Sequence, residues 1–202
     1  MSRAIITGCP RSGTGYVAAV LLEAGIHCGH EEVYGPEPIP RAWGSREVES
    51  SWLALRHLPV EGVPAALQVR DPLAVIRSVV GIELPQRTGS RYRAAALALF
   101  PELSAEPSPV AWAARLWIRA VERARSHARA WWRVEDLRLP GGATQLAQHV
   151  GADPDLIAGA AARVPTDVNH RDRAEVNLYS IPRPLFADLQ RTADRYGYAV
   201  AR

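Results

Sequence analysis

A chain of 202 residues, 48% of them hydrophobic, is long enough to bury a full core and is expected to form one domain over residues 1–202. Its net charge is only +3, and all 24 basic residues are arginines spread along the chain; a nucleic-acid binder would show a clustered basic stripe, and no lysine is present to act as a catalyst. No stretch reaches the roughly 20 apolar residues of a membrane span, the residues before Gly8-Cys9-Pro10 are too few for a signal peptide, and two cysteines make no disulfide framework, so a cytoplasmic location is expected.

The first element is the one around which the rest is organised. Ala4 to Thr7 is short, apolar and β-branched, as in a strand buried on both faces of a parallel sheet. Gly8, Pro10, Ser12, Gly13 and Gly15 then crowd into one loop, and a helical pattern follows with Val17, Val20, Leu21 and Ala24 on one face. A glycine-rich loop between a buried strand and a helix start frees backbone N–H groups to point at an anion, which the helix dipole also favours. The pattern is a phosphate cradle, yet Thr14 stands where a Walker A loop has its lysine. Arg11 supplies a cation at the loop apex instead.

Ile26 to His30 reads as the second strand, with His30, Glu31 and Glu32 at its carboxyl end, where open α/β sheets bind their ligands. These three are candidates for proton transfer. A metal site is not expected, because strand alternation points His27 and Cys28 to opposite faces and no second ligand pair follows. Residues 34–44 form an irregular loop in which Tyr34 and Trp43 are candidate stacking surfaces. Ser45 has the character of an N-cap, and Val48, Trp52 and Leu55 fall on one face of an expected helix that ends at Pro59. Val63 to Val69 is the third strand. It runs into Arg70-Asp71-Pro72, where Asp71 caps and Pro72 opens a helix that carries Ser78 about two turns in.

Residues 81–109 are punctuated by prolines around a possible helix over Arg91 to Phe100, and read as an insertion over the ligand edge of the sheet. Ser108-Pro109 opens the longest helix, with Ala113, Ala114, Trp117, Ala120 and Val121 facing inward. A further strand over 130–134 leads into Glu135-Asp136-Leu137, in which both acids are expected to brace the loop rather than to catalyse. Helices are expected over 143–150, 153–164 and 184–196. Alternating strands and helices predict a three-layer α/β/α fold with a central parallel sheet, of the P-loop NTPase-like type.

Cys9-Pro10-Arg11-Ser12-Gly13-Thr14-Gly15-Tyr16 resembles the 5′-phosphosulfate loop of the sulfotransferases, which take their sulfuryl group from 3′-phosphoadenosine 5′-phosphosulfate (PAPS) and leave adenosine 3′,5′-bisphosphate (PAP). Gly15 replaces the second threonine of the family's loop. Val69-Arg70-Asp71-Pro72 with Ser78 resembles the family's 3′-phosphate motif at the same spacing. The resemblance implies that residues 9–16, Arg70 and Ser78 bind the donor, with no metal. It implies that Glu31, or failing it His30, is the base, that Arg11 stabilises the leaving oxygen, and that a basic loop holding Arg171 and Arg173 closes the donor site. The acceptor class it implies is a small molecule or carbohydrate with a hydroxyl or amine. A nucleotide kinase with a degenerate loop and a non-catalytic adenosine-phosphate binder are the rival readings; oligomeric state is not written in the sequence.

Overall fold

Strand β1, Ala4–Gly8, is buried at every position, as a central strand of a parallel sheet must be. A tight loop leads into helix α1 (Thr14–Glu23). Strands β2 (Cys28–His30), β3 (Val48–Ser50) and β4 (Ala65–Val69) follow. Then come helices α2 (Pro72–Gly81), α3 (Arg91–Leu99) and α4 (Pro109–Arg125), strand β5 (Ala128–Arg133), and helices α5 (Thr144–Val150), α6 (Pro154–Arg163) and α7 (Arg183–Asp194). This computed structural model describes residues 3–166 and 174–202. Every strand pair in the order β2-β3-β1-β4-β5 is parallel.

Side-chain alternation along the central strands builds two cores. Ile5, Leu67 and Val69 meet α2, α4 and α7 on one face of the sheet, through residues such as Val75, Trp117 and Leu189. Ile6 and Ala66 meet α1, α5 and α6 on the other, through Val17, Leu146 and Ile157. The architecture is therefore the expected α/β class with helices on both faces of a parallel sheet. Among the described residues, no helix is long and apolar enough to cross a membrane.

Local signals set most helix starts. Asp71 caps α2 by accepting the Leu73 N–H at 2.8 Å, with Pro72 as its first residue. Ser108 caps α4 in the same way through the Ala111 N–H at 3.1 Å. The segment after Ser45 departs from expectation. In place of one helix it forms β3, which inserts between β2 and β1, and then a 3-10 turn over Trp52–Arg56 capped by Ser51. The spacing of Val48, Trp52 and Leu55 fits a helix, but Val48 to Ser50 is wholly buried and pairs with a strand on each side. Pairing on both edges outweighs local periodicity.

One glycine decides how closely the first loop can approach the sheet. A Cβ on Gly8 would lie 2.3 Å from the Gln68 carbonyl oxygen and 2.7 Å from Ser12 Oγ. Gly8→Ala is therefore expected to destabilise the protein by about 1–3 kcal/mol, read as a melting temperature lower by roughly 2–4 °C per kcal/mol. An unchanged melting temperature would show that β1 and β4 can part at no cost.

Candidate functional site

The loop after β1 and the turn after β4 lie side by side because their strands are neighbours in register, Gly8 opposite Gln68. Two side chains from the end of β4 hold the loop. Gln68 Nε2 donates to the Ser12 carbonyl at 2.6 Å, and Arg70 Nη1 donates to the Arg11 carbonyl at 2.9 Å. Arg11, left-handed at φ 68°, sends its Nε to Ser78 Oγ on α2 at 2.9 Å. Gly13 turns the chain into α1 at φ 92°, and α1 has no side-chain cap. Its first N–H groups thus lack intrahelical acceptors, and the residues that bear them, Gly13 to Tyr16, line a cavity of about 330 Å³.

The turn after β4 is clamped from behind. Trp117 Nε1 on α4 donates to the Arg70 carbonyl at 3.2 Å, and the Glu135 carboxylate accepts the Asp71 N–H at 2.9 Å and the Tyr198 hydroxyl at 2.7 Å. Burial, together with the charge of Glu135, pushes the Tyr198 phenol up, so it stays a donor. Glu135 therefore braces the loop, as its position in the sequence suggests.

The opposite wall of the cavity is built on β2 and β3. His30 Nδ1 lies 2.9 Å from the Ser50 carbonyl, which can only accept, so Nδ1 carries a proton, and the tautomer this selects for the uncharged ring has its lone pair on Nε2. Ser50 Oγ donates to the Thr14 carbonyl at 2.9 Å, which ties this strand to the start of α1. Glu31 has φ 56°, and the backbone that follows it is held by an acid that the sequence reading placed in a helix. Glu49 Oε1 accepts the N–H groups of Glu32, Val33 and Tyr34 at 2.8, 3.0 and 3.3 Å. Glu49 is fully buried, and among the described residues its Oε2 has no hydrogen-bond partner. Gly29 makes room for it, since a Cβ there would fall 2.3 Å from Oε2. Burial raises the Glu49 pKa above the usual carboxylate range, against the lowering effect of the three N–H groups. The Tyr92 phenol lies beside the Glu31 carboxylate; burial first, then the charge of Glu31, pushes the Tyr92 pKa up to about 12.

Pro10, Arg11, Gly13, Thr14, Gly15, Tyr16, His30, Glu31, Arg70 and Ser78 all face one cavity. The side chains of Cys9 and Ser12 do not; both are fully buried behind the loop, and burial pushes the Cys9 thiol well up. The Tyr16 ring borders the cavity with its hydroxyl turned away, donating to the Ala161 carbonyl at 3.2 Å. Glu32 is bound by Arg46 instead. Tyr34 and Trp43 stack edge to face with each other at 6.1 Å, outside the cavity wall, which takes its aromatic side chains from Tyr16, Trp52 and Tyr92. Arg171 and Arg173 lie outside the described residues. Among the described residues no group of three or more His, Cys, Asp or Glu could hold a metal ion. The sequence reading missed Trp52, Ile82, Leu84, Arg87 and Tyr92 individually, although the last four fall in the insertion it assigned to the ligand edge.

No family model and no curated protein matches the chain. Among solved structures, it is similar to the sulfotransferase domain from the curacin biosynthetic pathway, with a TM-score of 0.58 at 13% identity over 99% of each chain. The fold is therefore sulfotransferase-like. At that identity, the likeness speaks for the path of the chain and not for particular side chains. The sulfotransferase-like fold nonetheless puts the loop after β1 and the turn after β4 at the carboxyl edge of the sheet, where such folds bind ligands.

Glu49 has a measurable signature. Its folded-state pKa is raised, so over the window from the unfolded value of about 4.3 up to the folded one the native state holds a proton that the unfolded chain has released. Its contribution is complete below that window and is lost as pH rises through it. Denaturation across this range should show that loss in the wild type and not in Glu49→Gln, which keeps a carbonyl for the three N–H groups. The same slope in both proteins would assign it to another group.

Proposed function

We propose that the protein transfers a sulfuryl group from PAPS to a hydroxyl or amine of a small-molecule or carbohydrate acceptor by in-line displacement. The observation that carries this reading is the joining of two anion-binding elements into one wall. The uncapped start of α1 and the loop cation Arg11 form the first, Arg70 with Ser78 forms the second, and the Arg11–Ser78 and Arg70–Arg11 hydrogen bonds link them. PAPS is anionic at both its 5′ and its 3′ ends and brings the activated sulfuryl group. A sulfotransferase-like fold agrees with this donor.

The protein's own share is to hold charge and move one proton. The first-turn N–H groups of α1 hold the 5′ end, and Arg70 and Ser78 hold the 3′-phosphate. Arg11 meets the negative charge that grows at the 5′ end, where a preorganised donor is worth about 100- to 1,000-fold in rate. For the proton, the sequence put Glu31 first and His30 second. What supports the reverse order is the setting of the imidazole: His30 Nδ1 is held on Ser50, which in the neutral ring leaves Nε2 as acceptor, whereas the Glu31 carboxylate lies beside the Tyr92 phenol. His30 takes the acceptor's proton, and Glu31 orients the acceptor.

Donor recognition can be tested before any acceptor is known. PAP should raise the melting temperature without metal and clearly more than AMP does; saturation at about 100 times the dissociation constant adds roughly 2.7 kcal/mol of stability. Arg70→Ala should remove most of the difference between PAP and AMP. Equal stabilisation by the two nucleotides would leave Arg70 as no more than the residue before a helix cap.

The base assignment is tested with the same protein, PAPS and an acceptor whose free hydroxyl or amine the wild type sulfates. His30→Ala should lose turnover by about 100- to 10,000-fold while still binding PAP, and Glu31→Gln should keep far more activity. The opposite order of losses would return the proton to Glu31.

A further inference from the structure

Among the described residues, the cavity wall has one cationic side chain besides those of the donor cradle. Arg11 and Arg70 belong to the cradle, but Arg87 sits on the segment between α2 and α3, beyond Ser78. That segment is folded back on itself: the Arg87 N–H donates to the Glu83 carbonyl at 3.0 Å and the Ser90 N–H to the Arg87 carbonyl at 3.1 Å. It is pinned to α3 by Arg93 Nε on the Pro85 carbonyl at 2.8 Å. Arg87 is thus presented by an ordered turn, although its side chain is exposed.

The same segment contributes Ile82 and Leu84 to the cavity and the start of α3 contributes Tyr92, which faces Trp52 with ring centroids 6.5 Å apart and planes tilted by 33°. Apolar and aromatic side chains therefore wall the space next to His30 and Glu31, and a guanidinium and a hydroxyl, Arg87 and Ser90, follow on the same stretch of chain. A free hexose would leave Ile82 and Leu84 against hydroxyl groups. A neutral apolar alcohol would leave Arg87 without a use in the cavity. At about 330 Å³ the cavity lies at the low end of the roughly 300–1,000 Å³ typical of ligand sites, so the part that enters beside the donor is small.

Resting on the donor reading above, we infer that the acceptor is a small hydroxylated compound with a flat apolar body and a carboxylate, its ring walled by Trp52, Ile82, Leu84 and Tyr92 and its acid group bound by Arg87 with Ser90. The hydroxyl then faces His30 and Glu31. An arginine–carboxylate pair is a charge-assisted contact and commonly bidentate, which makes Arg87 the residue that sets acceptor specificity.

The experiment uses the full chain saturated with PAP and a matched pair of probes, 4-hydroxyphenylacetate and its methyl ester, with affinities measured by calorimetry. The acid should bind at least about tenfold more tightly than the ester. Arg87→Ala should erase that preference while leaving the affinity for the ester and for PAP unchanged. Equal binding of acid and ester by the wild type, or absence of binding by both, overturns the inference. So does a loss of PAP affinity in Arg87→Ala, which would move Arg87 into the donor cradle. Failure of PAP itself to bind the wild type is a different result, and it refutes the donor reading instead.

Discussion

The hydrogen bonds from Gln68 and Arg70 to the carbonyls of Ser12 and Arg11 are the contacts on which the site depends. A glycine-rich loop that keeps its N–H groups free for an anion has its carbonyls directed elsewhere, and buried carbonyls need donors. Here the donors come from the next strand of the sheet, one amide and one guanidinium, so the loop is fixed by the same strand that brings Arg70 to the cavity. A hydrogen bond from a charged donor is worth about 1.5–3 kcal/mol. Arg11 closes the circuit by accepting from Arg70 through its carbonyl and donating to Ser78 through its side chain. A shift in either element is transmitted to the other.

Strand β3 has the same place on the other wall. By lying between β2 and β1 it brings Ser50 within reach of both His30 and the start of α1, and it puts Glu49 under the turn that follows β2. A buried carboxylate beneath three backbone N–H groups is an unusual support, since a neutral acceptor would do without the desolvation penalty. Glu49 holds the Glu32 to Tyr34 backbone from below, next to Glu31 in its left-handed conformation, a geometry that costs a non-glycine residue about 1–3 kcal/mol. The Tyr92 phenol lies beside the Glu31 side chain on the other side. The wall that carries His30 and Glu31 is therefore flanked on both sides by groups that stand far from it in the sequence.

Much of this was legible in the order of residues, for local reasons. Glycine at positions 8 and 13, β-branched residues before them and an apolar helical stripe after them can be satisfied by little else than strand, loop and helix. Asp71-Pro72 and Ser108-Pro109 carry their own helix starts in a capping side chain and a fixed proline φ. These features depend on neighbours within a few residues, so pattern and structure agree. What only the tertiary structure decided is where long-range pairing took over: Val48 to Ser50 became a strand because two partners were waiting for it, and Trp52 and Tyr92, 40 positions apart, became facing walls while Tyr34 and Trp43 stacked on each other. Likewise, the Nδ1–H of His30 is set by the carbonyl of Ser50, twenty residues away. Local chemistry specifies which elements form and where they cap, but which side chains share a cavity depends on strand order, and strand order is a property of the whole sheet.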